Sequence, residues 1–69
     1  MKSKYYVSSF AQLNGDHEVH HDGCRYLPSQ HHRIYLGIFE SCHDAVQIAK
    51  GIYLRADGCY YCSNACHKR

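Results

Sequence analysis

Hydrophobic and polar positions alternate in part along the first segment of the chain, in residues 4–13. Alternation in a run rich in aromatic and branched side chains predicts a β-strand. Asn14 and Gly15 follow, a pair typical of a two-residue hairpin turn because both residue types tolerate a positive φ angle. Residues 16–21 are therefore expected to return as a short polar strand, with Val19 as its main apolar residue. One face of the first strand is expected to carry Tyr5, Val7, Ser9, Ala11 and Leu13.

Two further elements are expected in the second half of the chain. Residues 33–39 are apolar on both faces near their centre, which predicts a strand in the middle of the sheet, with a bulge or close backbone approach at Gly37. Ser41 is a typical helix N-cap, and Asp44 occupies the capping-box position. From residue 42 to about residue 53, apolar residues recur at the three-and-four spacing of a helix that packs on the sheet. They are Ala45, Val46, Ile48, Ala49, Ile52 and Tyr53.

These elements predict a small α+β fold, with a three-stranded, mainly antiparallel sheet and one packed helix, in a single domain over residues 1–69. A hydrophobic core of this size seldom contributes more than about 3–5 kcal/mol, so an additional cross-link is expected. The chain contains five cysteines and seven histidines. This composition directs attention to a metal site or to disulfides.

The strongest chemical signal is the pair Cys59 and Cys62, separated by two residues. At this spacing a tight turn places two thiolates at adjacent corners of one tetrahedral metal ion. Asp57 and Gly58 precede the pair, and this dipeptide is typical of a turn. A structural zinc site needs four ligands, so two more must come from elsewhere in the chain.

Disulfides are the alternative to a metal. The first ten residues contain no apolar stretch long enough for a signal peptide, so we expect a cytoplasmic protein in a reducing environment. Cysteine clusters in that environment bind metal or carry out redox chemistry more often than they form structural disulfides. Five cysteines also cannot all pair within one monomer.

The stretch from Val19 to Pro28 resembles the first half of a small zinc-binding module of bacterial proteins, some of them nucleases, with the form apolar-His-x3-Cys-x-Tyr-Leu-Pro. The layout is similar to the N-terminal metal-binding domain of the Ada DNA-repair protein, which has a Cys-x3-Cys pair, a helix and a later Cys-x2-Cys pair. The resemblance covers residues 19–62 and implies a zinc ion, a C-terminal zinc knuckle and a defined ligand set. The implied ligands are His20, Cys24, Cys59 and Cys62.

One departure from the Ada pattern has a chemical consequence. His20 stands where Ada has the cysteine that accepts a methyl group from DNA phosphotriesters. An imidazole can bind zinc but cannot repeat that thiolate chemistry, so methyl transfer is not expected. Three thiolates and one neutral imidazole would leave the zinc site with a net charge of −1, which backbone N–H groups or Arg25 can offset.

Several assignments stay open from the sequence. Cys66 or His67 is a rival for the fourth ligand position if His20 is not used, whereas His21 should point to the other face of its strand. Cys42, in the first turn of the helix, is expected to be a packed thiol, although a disulfide with Cys66 is conceivable. Iron is an alternative to zinc in a sulfur-rich tetrahedral site. Tyr26 and Leu27 are expected in the core, and residues 29–32 in an exposed loop.

Three classes of function are compatible with this sequence. A closed structural zinc site favours a binding module that acts on an unidentified protein partner, without enzymatic activity. Nucleic-acid binding is the first alternative, suggested by the Ada-like layout and by arginines beside many tyrosines, although a formal charge of +2 argues against strong affinity. Thiol redox chemistry at Cys59 and Cys62 is the second alternative. No run of about 18 apolar residues is present, so we expect no membrane partner.

Overall fold

The computed structural model describes residues 2–68, which contain one α-helix, two short 3-10 helices (Gln30–His32 and Asn64–Cys66) and a four-stranded mixed sheet. The predicted α+β class is therefore confirmed, but the predicted count of three strands is wrong. The sheet order is β3-β1-β2-β4, in which β1 pairs antiparallel with β2 and β3, and β4 pairs parallel with β2. The elements are β1 (Ser3–Ala11), β2 (His17–His21), β3 (Arg33–Phe39), α1 (Cys42–Ala49) and β4 (Ala56–Gly58).

Strands β1 and β2 form the predicted hairpin. Gly15 has a φ of 89°, the left-handed conformation that glycine adopts without a steric penalty. The Asn14 side chain accepts a hydrogen bond from the Asp16 backbone N–H at 2.9 Å, and the Arg55 Nε donates to the Asp16 carboxylate at 3.2 Å. Asp16 is buried beneath this loop rather than being the first residue of the returning strand. The loop is thereby tied to the segment that leads into β4.

The inner face of β1 is shorter than the alternation predicted. Tyr5 and Val7 are buried, but Ala11 and Leu13 are exposed. The register between β1 and β2 shifts between Val7 and Ala11, so the regular alternation ends there.

Strand β3 has the predicted bounds but not the predicted place. It lies at an edge of the sheet, paired only with β1 among the described strands, and not in the middle. The predicted bulge is present: Tyr5 is opposite Gly37 and Tyr6 is opposite Tyr35, so one extra residue is accommodated in β3. Gly37 has a φ of 133°, which an L side chain rarely adopts.

The prediction of a turn at Asp57 and Gly58 is wrong. Both residues belong to β4, which runs parallel to β2 with Ala56 opposite His17 and Gly58 opposite Val19. Gly58 is required here for its small size, because a Cβ would lie 2.5 Å from the Ser63 carbonyl oxygen and 2.7 Å from the Cys66 Cβ. Gly58 thus allows the C-terminal segment to fold back over β4.

Helix α1 begins as predicted and ends earlier. The Ser41 side chain accepts a hydrogen bond from the His43 backbone N–H, as an N-cap does. Regular helix ends at Ala49, before the expected end near Tyr53. Ile48 and Ile52 were predicted on the buried face, but both are about half exposed. The buried face of the helix consists of Cys42, Ala45, Val46 and Ala49.

The core lies between α1 and one face of the sheet. Tyr5 and Val7 of β1, Val19 of β2 and Ala56 of β4 form it together with the buried helical residues. Because β-strand side chains alternate, the even-numbered residues of β1 and β2 point to the other face. That face is the one on which the candidate site is built.

Two cysteines of the core are covalently bonded. Cys42 and Cys66 form a disulfide, with their Cα atoms 6.2 Å apart. The expectation that Cys42 is a free packed thiol is therefore wrong, and the structure contains the alternative, a disulfide between Cys42 and Cys66.

Within residues 2–68, no helix combines the length and the apolar character needed to span a bilayer.

Candidate metal centre

Two segments that follow neighbouring strands form the candidate site. Strands β2 and β4 are parallel, so their C-terminal ends lie side by side at the same edge of the sheet. His20 lies near the end of β2. Cys24 follows in a turn, where its backbone N–H donates to the His21 carbonyl oxygen at 3.0 Å. Cys59 follows β4 directly, and its backbone N–H donates to the Val19 carbonyl oxygen at 2.9 Å. The parallel pairing therefore brings the two halves of the site together.

The ligand atoms of His20, Cys24, Cys59 and Cys62 all lie within 4.8 Å of one another. The His20 Nδ1 is 3.4 Å from the Cys24 Sγ and 3.8 Å from the Cys62 Sγ, and the Sγ atoms of Cys24 and Cys59 are 3.9 Å apart. A tetrahedral zinc with bonds of about 2.3 Å to sulfur and about 2.0 Å to nitrogen has edges of about 3.8 Å and 3.5 Å. The four residues thus have the donor types and the spacing of a tetrahedral metal site.

The interior of the cluster is shielded from water. His20, Cys24 and Cys59 are buried, and Cys62 is partly buried. Burial, reinforced by the neighbouring charge of His21, lowers the pKa of His20 to about 4. At neutral pH the imidazole is therefore uncharged, which is the form that binds a metal ion.

The thiols are also affected by burial. Burial raises the pKa of Cys62 to about 12, with a further contribution from its hydrogen bond with Cys24. Burial likewise raises the pKa of Cys59, although backbone N–H groups of Cys62 and Tyr61 oppose this by hydrogen bonding to its sulfur. The backbone N–H of His21 acts in the same way on Cys62. These N–H groups are placed to offset negative charge when the sulfurs are thiolates.

Glu18 is a neighbour of the site that the sequence interpretation missed. Its Oε1 lies 3.7 Å from the His20 Nε2, the ring nitrogen that points away from the sulfur atoms. Histidines that bind metal commonly direct their second nitrogen at a carboxylate. The spacing of two residues along β2 is the signal that could have found it, because residues i and i+2 of a strand share a face.

The rival ligands lie elsewhere. Cys66 is in the disulfide, and the His67 Nδ1 is 3.0 Å from the Gly58 carbonyl oxygen and 3.3 Å from the Asp57 carboxylate. His21 has its Nδ1 3.0 Å from the Gly23 backbone N–H, outside the cluster as expected. A second group, formed by Cys42, His43 and Cys66, has ligand atoms equally close together, but its only two sulfur atoms are bonded to each other.

Exposed aromatic rings surround the four residues. Tyr26, expected in the core, is 48% exposed, and its ring centroid is 4.5 Å from that of Tyr61. Tyr60 contacts Tyr61 edge to face. The two turns that carry the cysteines therefore present their tyrosines to solvent and their sulfurs inward.

No family model, no curated protein and no solved structure matches this chain.

Proposed function

We propose that this protein is a small structural zinc-binding module that works by presenting a surface to a partner. The observation that carries the proposal is the cluster of one imidazole nitrogen and three sulfur atoms within 4.8 Å of one another. Four protein ligands fill a tetrahedral zinc ion and leave no position for a substrate, which is typical of structural rather than catalytic sites. A sulfur-rich tetrahedral donor set also suits iron, but zinc is the usual structural metal.

The similarity to the Ada metal-binding domain is part of the same proposal. It rests on the spacing of His20, Cys24, Cys59 and Cys62, and on a helix between the two ligand pairs. The comparisons with known proteins provide no link to that family. We therefore carry over the ligand arrangement and the structural role of the metal, and not the methyl-transfer reaction.

The exposed tyrosines next to the ligands support a role in binding. Tyr26, Tyr60 and Tyr61 are each about half exposed or more, although their rings contact one another. Tyrosine is enriched in protein interfaces because it offers a large contact area and a hydroxyl group at a low entropic cost. A metal that fixes the turns beneath these rings would hold such a surface in one conformation.

Metal analysis by native mass spectrometry of protein purified without added metal tests the proposal. We expect one zinc ion per chain in the wild-type protein and in the matched control His21→Ala, which changes the neighbouring histidine outside the cluster. His20→Ala should lose zinc or bind it much more weakly. The paired change Cys42→Ser with Cys66→Ser should retain zinc.

Substitution of Co²⁺ for the native metal provides a second readout, because thiolate ligation produces charge-transfer absorption. We expect this absorption in the wild-type protein and a weaker band in Cys62→Ser. A metal-free cluster could keep its short distances through S–H···N and S–H···S hydrogen bonds. Wild-type protein without bound metal and without a Co²⁺ band would therefore overturn the proposal.

A further inference from the structure

The sheet face opposite α1 carries a second feature, separate from the cysteine cluster. A shallow depression of about 460 Å³ lies over β1 and β3. It is lined by Lys4, Tyr6, Gln30, Arg33 and Tyr35, and we refer to these five residues as the tyrosine face. None of the five is required by the metal site, and none belongs to the core between α1 and the sheet.

Two tyrosine rings form the centre of this surface. Tyr6 and Tyr35 are opposite each other in the β1–β3 register, and their ring centroids are 5.5 Å apart. Tyr35 is 53% exposed, on the face of the sheet opposite α1. A flat ring held by two paired strands and open to solvent offers a rigid stacking surface.

The cations of the tyrosine face lie beside these rings. The Arg33 guanidinium carbon is 4.6 Å from the centroid of the Tyr6 ring, and its Nη1 donates to the Pro28 carbonyl oxygen at 3.2 Å. Among the described residues, neither Lys4 nor Arg33 forms an ion pair, and the lining contains no carboxylate. The surface therefore combines a flat guanidinium plane, an open ring and two uncompensated positive charges.

This combination matches single-stranded nucleic acid better than other anionic partners. Unpaired bases stack on tyrosine rings and on arginine planes, while phosphates are attracted to the nearby cations. In a duplex the base faces are covered, so the rings would contribute nothing. An acidic peptide would use the two charges but not the flat surfaces.

We propose that the tyrosine face binds single-stranded nucleic acid, with a base stacked on Tyr35 and phosphates close to Lys4 and Arg33. The proposal names the partner class of the zinc module and so rests on the proposed function for the rigidity of the sheet.

Fluorescence anisotropy with labelled ten-nucleotide oligo-dT and oligo-rU tests the stacking contact. Removing one stacked ring should weaken binding by at least about fivefold, so we expect this loss in Tyr35→Ala. Tyr35→Phe keeps the ring and should bind as the wild type does. The matched control is Ile48→Ala, which removes an apolar side chain of similar exposure from α1, on the other face of the sheet, and should bind almost unchanged.

The salt dependence of binding tests the charges. Each phosphate contact to a single strand contributes a slope of about −0.7 in log affinity against log salt. Arg33→Gln should therefore reduce the slope by about 0.7 between 50 and 200 mM salt. Lys50→Gln removes the same charge from the end of α1, away from the tyrosine face, and should reduce the slope less.

Zinc content measured on the same samples separates this inference from the proposed function. Oligonucleotide binding that depends on Tyr35 in protein without metal would reject the zinc proposal and keep the tyrosine face. One zinc per chain with no oligonucleotide binding, or with binding insensitive to Tyr35→Ala, would overturn this inference and keep the zinc proposal. Equal affinity for a duplex, or binding of a glutamate-rich peptide instead, would also overturn it.

Discussion

Two adjacent histidines in β2 have opposite roles because strand side chains alternate. His20 is buried with its Nδ1 facing the sulfur atoms, whereas the His21 Nδ1 accepts a hydrogen bond from the Gly23 N–H at a partly exposed position. The resemblance to the Ada layout implied His20 as a ligand, and alternation along the strand predicted that His21 points to the other face. Residue type alone does not distinguish the two.

At the same scale, Glu18 provides a test of how the imidazole is oriented. Glu18→Gln should leave one metal ion per chain but weaken metal affinity by about tenfold or more, because the ring loses a charged partner for its second nitrogen. Glu40→Gln, at an exposed position, is the matched control. Competition with a chelator of known affinity measures the effect. Equal affinities of the two variants would show that Glu18 does not position His20.

The four residues that the structure brings together had two sources in the sequence. The spacing of Cys59 and Cys62 indicated one pair, and the resemblance to the Ada layout implied His20 and Cys24. The disulfide between Cys42 and Cys66 was less accessible, because it depends on how a C-terminal turn packs against the start of the helix. That packing in turn depends on Gly58, whose small size is not recognisable as a requirement in the sequence.

Among the elements, α1 illustrates how its neighbours decide which helical stripe is buried. The sheet covers only some of the apolar residues that recur at helical spacing. Val46 is 7% exposed, whereas Ile48 is 50% exposed. The narrow buried stripe of small residues lets the helix lie close to the sheet. Ile48 and Ile52 remain at its rim.

A pair of substitutions checks this orientation of the helix. Val46→Ala should reduce the free energy of unfolding by about 1–2 kcal/mol, because it removes buried apolar surface and leaves a cavity. Ile48→Ala removes a larger side chain but should cost less than about 1 kcal/mol, since half of that side chain is already in water. Urea unfolding followed by circular dichroism measures both values. The reverse order would place Ile48 in the core and contradict the observed helix rotation.

The strands differ in how well the sequence predicts them. Strand β3 has seven residues, of which five are apolar or aromatic, and its bounds were predicted correctly, but its edge position was not. Strand β4 has only three residues, Ala-Asp-Gly, which have low intrinsic preference for strands. It is a strand because β2 supplies hydrogen bonds on its open side. A local sequence pattern cannot predict a strand that depends on a partner distant in sequence.

At the scale of the whole molecule, a disulfide and a candidate metal site flank a small core. The disulfide connects the start of α1 to the C-terminal segment, and a metal bound at the candidate site would connect the ends of β2 and β4. The two would hold different sides of the same C-terminal region, one against the helix and one against the sheet.

The separate contributions of the two cross-links can be measured by thermal unfolding. Replacing Cys42 and Cys66 by serine should cost about 3 kcal/mol for a bridge of this sequence separation, lowering the melting temperature by about 15 °C. Chelation of the metal should lower it further, and both changes together should unfold the chain. The wild-type protein and the paired serine variant, each with and without chelator under non-reducing conditions, form the complete comparison. Unchanged melting after chelation would exclude a stabilising metal.

The parallel pair β2–β4 has a consequence for aggregation. With β4 in place, β2 is an interior strand; if β4 leaves when the metal is removed, β2 becomes an edge with free backbone donors and acceptors. Such an edge pairs readily with strands of other chains. We therefore expect metal-stripped protein to scatter light within hours at concentrations where the metal-loaded form stays clear. Loss of the ion would thus turn β2, an interior strand of the sheet, into the edge at which other chains aggregate.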